Sequence, residues 1–341
     1  MTTQKLNIKD IGPKDFELWD QFVYSTNSGT IFHTSRWGQV ISNLVGRPFQ
    51  IWAAFEDENI CGGILFWSKK NLNIISIPSV PATPYQGILT RTIKSKRSSS
   101  VISDQHKITS ALINVIKKEY QFISIPLSLG ILDTRPYQWE DFEVSPVYTY
   151  TFDIKPIEEL EFQFNRTLRQ NIRTAKKDGF YIESSTDVNP LTDFITISYK
   201  QHGKSPPISK YKLGPFFNDI LKKELGKVFY LKQNNETIAG LLALNDSKSV
   251  YALFMGIDKQ YRNQNQNKYI YASIMEMEEY HGKRFDFLGA NEKDFEMLKR
   301  SFGGELEAIH RVNYYRNIWI KFLANLRTRQ HLFQRKNSGR I

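Results

Sequence analysis

Apolar and polar positions along the chain alternate between two periods. Asp15 to Ser25 places Phe16, Trp19, Phe22 and Val23 on one helical face, and Ser35 to Leu44 does the same with Trp37, Val40, Ile41 and Leu44. Thr34 or Ser35 is placed to cap the second helix. The period then falls to two. Phe49 to Phe55 and Ile60 to Ser68 read as a hairpin joined through Glu56-Asp57-Glu58-Asn59, and Asn71 to Ile77 as a third strand. Pro78 to Gly87 holds three prolines and reads as a rigid connection or a pocket wall. Lys94 to Ser100 is a polar loop. A helix is expected over Asp104 to Tyr120, a short strand over Gln121 to Ile125, a turn over Asp133 to Trp139, and a strand over Val147 to Ile154.

The same order returns in the second half. One helix is expected over Ile157 to Lys177, stopped by Gly179. Its basic end (Arg166, Arg169, Arg173, Lys176, Lys177) suits the helix dipole without any ligand, or forms a functional face. A strand over Tyr181 to Ser184 and helices over Leu191 to His202 and Tyr211 to Leu225 lead to a second set of strands: Val228 to Lys232, Thr237 to Asn245 and Ser249 to Gly256. A polar loop, a helix over Lys268 to His281 and a strand over Arg284 to Leu288 come next. A short helical segment then carries Lys299 and ends at Gly303-Gly304. From Trp319 to Ile341 the chain is basic and reads as a terminal amphipathic helix that frays.

The two hairpins match each other. Glu58-Asn59-Ile60-Cys61-Gly62-Gly63 sets beside Glu236-Thr237-Ile238-Ala239-Gly240-Leu241, and the elements around each agree in order. That order predicts a duplicated α/β chain with mixed sheets. A glycine shared by both hairpins implies a bulge or a close backbone approach. The domains expected are residues 1–154 and 155–318, with a basic tail over 319–341.

Composition adds an anionic partner. Lys plus Arg number 46 against 35 Asp plus Glu, a formal charge of +11. The single cysteine, Cys61, forbids an internal disulfide and reads as a buried structural thiol. No secretion signal or stretch of ~18 apolar residues occurs, so a soluble cytoplasmic protein is expected. The histidines are scattered and fit no metal-ligand spacing, so no metal site is expected.

Phe285-Asp286-Phe287-Leu288-Gly289, followed by Leu298-Lys299-Arg300-Ser301-Phe302-Gly303, resembles the FemABX family of double-GNAT acyltransferase-like proteins, as do the paired hairpins and the Arg169 to Gly179 segment. The resemblance runs over roughly Phe32 to Tyr315. It implies tandem duplicated GNAT domains and transfer of an acyl or aminoacyl group to an amine of an anionic cell-envelope or sugar precursor. The co-substrate would be acyl-CoA or aminoacyl-tRNA, with no tightly bound cofactor. Partners would be an anionic small-molecule or lipid-linked precursor, and tRNA on the aminoacyl reading; independently of the resemblance, the basic tail from Trp319 to Ile341 suits contact with a membrane surface. Lys299 is then the catalytic candidate, for stabilising developing negative charge or holding phosphate. Substrate-binding candidates are Tyr85, Gly87, Lys200, His202, Tyr211 and Asp286. Asp286, between two phenylalanines, either faces a cleft or caps a neighbouring backbone group.

The chain departs from the family in places. Pro84-Tyr85-Gln86-Gly87 lacks the expected Arg, and Gln39 stands where a Lys is usual. In Arg262-Asn263-Gln264-Asn265-Gln266-Asn267, Arg262 and Gln264 persist as cofactor-binding candidates, while the glycines of a pyrophosphate loop do not. A degenerate module that binds an anionic ligand or RNA without chemistry is the alternative.

Overall fold

The structure is a computed structural model that describes residues 6–71, 73–93, 97–201, 206–261 and 268–326. They form two compact units. One comprises residues up to Val147 together with Ala308–Leu326; the other is Tyr148–Glu307.

The first unit contains β1 (Asn7–Asp10), α1 (Phe16–Ser25), α2 (Ser35–Val45), β2 (Phe49–Glu56), β3 (Asn59–Trp67), β4 (Lys69–Asn71), β5 (Ile74–Ile77), β6 (Leu89–Thr90), α3 (Ser98–Glu119), β7 (Phe122–Pro126), α4 (Arg135–Trp139) and the start of β8 (Glu143–Asp153). Strands β1-β2-β3-β6 form one sheet, every neighbour antiparallel. Thr34 caps α2 by accepting from the Trp37 backbone N–H at 3.2 Å. The apolar face of α3, Ile108, Leu112, Ile113 and Ile116, is buried against Ile64, Phe66 and the β7 isoleucines. Ser98 to Ser100, expected in a loop, form its first turn, and the expected turn over Asp133 to Trp139 contains α4.

The second unit continues β8 and holds α5 (Ile157–Gln163), α6 (Arg166–Lys177), β9 (Tyr181–Ser185), α7 (Asn189–Gln201), α8 (Lys210–Lys222), β10 (Gly226–Gln233), β11 (Glu236–Asn245), β12 (Ser249–Ile257), α9 (Tyr269–Met275), β13 (Arg284–Asp286), α10 (Lys293–Arg300) and the start of β14 (Glu305–Tyr315). Its strands run β8-β13-β12-β11-β10-β9. β13 is parallel to β12 and antiparallel to β8, so the sheet is mixed. The single helix expected over Ile157 to Lys177 is two helices. Asn165 caps the second by accepting from the Leu168 N–H at 2.8 Å, which starts a new helix in place of continuing the old one. α9 is likewise shorter than expected, giving way to a tight turn at Glu278–Tyr280. β14 has no counterpart among the expected strands. Its later residues return to the first unit, pair antiparallel with β7 and bury Val312 and Tyr314, after which residues 318–326 form a helix, α11.

The duplication is visible in the backbone, one residue out of step with the letter-by-letter match. In β2–β3, Ala54 faces Gly62 and Phe55 faces Ile60, leaving Cys61 as a bulge. In β10–β11, Leu231 faces Ala239 and Lys232 faces Thr237, leaving Ile238. Superposing bulge on bulge equates Gly63 with Gly240. Both are close-approach positions. A Cβ on Gly63 would lie 2.5 Å from the Trp19 ring and 2.8 Å from the Trp52 carbonyl; one on Gly240 would lie 2.8 Å from the Tyr230 ring. The turns hold two residues, not four, and Asn234 and Asn235 both adopt positive φ.

Gly63→Ala should therefore lower the unfolding free energy by about 2 kcal/mol through overpacking. Gly214→Ala, in open space within α8, should leave it level or raise it by up to ~1 kcal/mol. Urea titration of the two variants measures the difference, and equal effects would contradict the close packing at Gly63.

Candidate active site

The site grows from β13. Successive strand residues point to opposite faces. Phe285 and Phe287 turn into the core, with ring centroids 5.0 Å apart. Tyr271 from α9 and Phe302 close on Phe287 at 5.4 and 5.2 Å, and Phe164 meets Phe302 at 5.4 Å. This aromatic packing fixes the strand end and the turn after α10.

Asp286 takes the other face and is wholly buried. Its Oδ1 accepts from the Thr149 hydroxyl at 2.7 Å and from the Leu288 N–H at 2.9 Å. Thr149 Oγ1 also accepts from the Gly289 N–H at 3.2 Å. The carboxylate thus caps the backbone that comes after it. That backbone is unusual: Leu288 and Gly289 have φ of 51° and 81°. A leucine in the left-handed region costs on the order of 1 kcal/mol. The consequence of the twist is that three successive carbonyls turn toward one point.

Lys299 stands at that point. Its ammonium donates to the carbonyls of Phe287 at 2.8 Å, Leu288 at 3.2 Å and Gly289. Only 8% of the residue is exposed. Burial pushes its pKa down to about 8, against the opposing pull of the Asp286 carboxylate. α10, which carries it, is fastened by the Tyr150 hydroxyl donating to Glu296 at 2.9 Å. An ammonium has three N–H donors, and three carbonyls occupy them.

The other candidates are spread across both units. Lys200 is exposed at the end of α7, and Tyr211 is 92% exposed on α8. Tyr85 is buried beside Phe32, ring centroids 5.8 Å apart. Gly87 lies where a Cβ would meet Leu127 at 3.0 Å, so only glycine fits without displacement. Between them the Gln86 side-chain amide is buried and makes no hydrogen bond among the described residues. His202, Arg262 and Gln264 lie outside the described residues. The structure brings Asp286 and Lys299 into one assembly; Lys200 and Tyr211 lie elsewhere in the same unit, and Tyr85 and Gly87 belong to the other. On α6, Lys176 pairs with Glu276 at 2.8 Å and Arg173 with Glu161 at 3.7 Å. Among the described residues no cluster of His, Cys, Asp and Glu has the arrangement of a metal site.

Thr149 is not among the candidates the sequence offers. It lies 137 residues from Asp286 in sequence, and a threonine in a strand of alternating Tyr and Thr carries no local sign of that partner.

The chain has a mixed α/β fold shared with FemX, and part of it matches a GNAT domain. Residues 163–296 match the family model described as "Acetyltransferase (GNAT) domain". The solved structure of FemX superposes with a TM-score of 0.65 at 14% identity, covering 89% of this chain and 96% of its own. The C-terminal domain of a putative lysylphosphatidylglycerol synthetase from Agrobacterium fabrum superposes at 0.56 with 12% identity, covering 92% and 95%. L-PGS from Bacillus licheniformis does so at 0.56 and 12%, covering 94% and 97%. No curated protein matches the sequence.

Thr149→Val keeps the shape but strips Asp286 of a donor and the Gly289 N–H of its acceptor. Urea unfolding should show a loss of about 2–3 kcal/mol; a loss under about 0.5 kcal/mol, the ordinary surface range, would contradict the assembly described.

Proposed function

We propose that the protein is an N-acyltransferase or N-aminoacyltransferase whose acceptor is an amine on an anionic cell-envelope or sugar precursor. The donor is acyl-CoA or aminoacyl-tRNA, used as a co-substrate and not held as a cofactor. The observation that carries this reading is the buried Lys299 ammonium on the Phe287, Leu288 and Gly289 carbonyls just after β13, in a double-GNAT fold with a net charge of +11. FemX, the putative lysylphosphatidylglycerol synthetase and L-PGS, with which the fold is shared, support it.

The chemistry asks little of the chain beyond position and charge. An unprotonated amine attacks the acyl carbonyl carbon, and the C=O electrons move onto oxygen. The oxyanion collapses and expels the CoA sulfur or the tRNA ribose oxygen, and the proton lost by the amine nitrogen passes, directly or through water, to that leaving group. A desolvated cation near the oxyanion lowers the barrier more than a hydrated one, because less solvent screens it. Lys299 supplies that cation. To donate directly to the oxyanion it must exchange one of its three carbonyl partners for it. Asp286 and Thr149 act as positioning residues that set the loop geometry. Tyr85 and Gly87 shape the Pro-rich loop of the first unit. Lys200, Tyr211 and, in segments outside the described residues, His202, Arg262 and Gln264 contact the anionic substrates.

One observation favours a second reading. Because the three Lys299 donors are already taken, the lysine is also well suited to a purely structural role in a module that binds without catalysis. Transfer assays with an acyl-CoA and charged-tRNA panel against amine acceptors separate the two: product from any pair supports the transferase, and binding without turnover across the panel supports the module.

The pH dependence has a definite sign. Lys299 titrates at about 8 in the folded protein against 10.5 when unperturbed. Its charge is complete below that range and is lost as pH rises through about 8. Transfer should rise with pH as the acceptor amine deprotonates, then fall through that value. Lys299→Arg stays charged, so any activity it retains should lack the alkaline fall, and Lys299→Ala should lower kcat on the order of 100-fold or more. An alkaline limb unchanged in Lys299→Arg would assign it to another group. The same shift makes the group's contribution to folding increase with pH between about 8 and 10.5, since the unfolded chain binds the proton more tightly there.

A further inference from the structure

The helix over residues 318–326 carries large apolar side chains that no other described residue covers. Trp319 is 74% exposed and Ile318 71%, with Phe322, Leu323 and Leu326 also exposed. At 100° per residue these five fall within an arc of about 140°. Ile320 points the other way and is buried, and Ala324 is half-buried beside it. The helix therefore rests on its unit by a narrow seam and presents its wide apolar face outward. Lone exposed apolar residues are common on protein surfaces; five on one face are not.

The charge of the adjoining sequence narrows the occupant. From Arg316 to the last residue the sequence has no Asp or Glu, and beyond residue 326 it has Arg327, Arg329, Arg335, Lys336 and Arg340. A second copy of this chain would bring a like-charged flank to the same contact, which repels. A nucleic acid would use the arginines and leave Trp319, Phe322 and Leu326 in water. An anionic bilayer surface satisfies both features, because apolar side chains enter the acyl boundary while the arginines remain among the headgroups. No described helix is long and apolar enough to cross a membrane, so the contact is interfacial.

We infer that residues 318–326 form a helix that docks the protein on a lipid surface, with a preference for an anionic one set by the basic residues that the sequence carries beyond it. The inference rests on this helix and on the charge of the sequence that follows it, and does not depend on the transferase reading.

The test is co-sedimentation of the full-length protein with extruded vesicles of phosphatidylglycerol and phosphatidylcholine, and of phosphatidylcholine alone, at low and high salt. The variants are Trp319→Ser/Phe322→Ser and Arg327→Gln/Arg329→Gln, each checked for an unchanged thermal melt. The parent should pellet with the anionic vesicles and not with the neutral ones. Both variants should bind at least tenfold more weakly, and high salt should release the parent. No sedimentation of the parent overturns the proposal. So does binding that survives Trp319→Ser/Phe322→Ser and falls only with the arginines, which marks a purely electrostatic polyanion site. A dimer in size-exclusion chromatography that dissociates in Trp319→Ser/Phe322→Ser, without vesicle binding, overturns it in favour of a second copy.

Discussion

A buried ammonium ion organises the second unit. Lys299 sits almost out of water, where a lone cation is costly. Three backbone carbonyls from one turn of chain compensate it, and they converge only because Leu288 and Gly289 adopt left-handed conformations. That conformation depends in turn on Asp286, which fastens the Leu288 N–H, and on Thr149, which fastens Asp286 and the Gly289 N–H. Cation, carboxylate and strained turn each need the others. The aromatic packing of Phe285, Phe287, Tyr271 and Phe302 on the opposite face holds the strand rigid enough for the arrangement to persist.

Such a device fits the acyl transfer proposed above: charge is stored in a place where solvent screens it little, and geometry is set in advance. The cost of burial is also what moves the lysine's titration toward neutral pH, so the charge becomes sensitive to conditions under which an exposed lysine would be inert.

Much of the fold is legible in the sequence because it rests on local periodicity. The hairpins, the helical faces of α1 and α2 and the repeat itself announce themselves in runs of eight to twelve residues. The one-residue slip in aligning the repeat comes from the bulges at Cys61 and Ile238, which a match of letters does not see. β14 escapes because Glu305 to Tyr315 mixes charged, aromatic and aliphatic residues, and its buried positions make sense only against β7. The break at Asn165 is hidden because an asparagine inside an apolar helical pattern looks tolerable until its side chain is seen capping Leu168. At the site, Lys299 and Asp286 stand out by motif. Their partners do not, since most are backbone groups in a strained turn and the remaining one, Thr149, is distant in sequence. Gln86 is a similar case: its buried amide, without a partner among the described residues, occupies the place where the resembling family carries an Arg, and nothing local foretells that it would be enclosed.

The most direct test is the titration of Lys299 itself, by NMR of the ζ-nitrogen or ε-carbon, assigned by loss of the signal in Lys299→Arg. A buried ammonium held beside Asp286 should show an inflection near pH 8 in the folded protein, moving lower in Asp286→Asn as the carboxylate's opposing pull is removed. An inflection in the ordinary lysine range near 10.5, indifferent to Asp286, would contradict that arrangement.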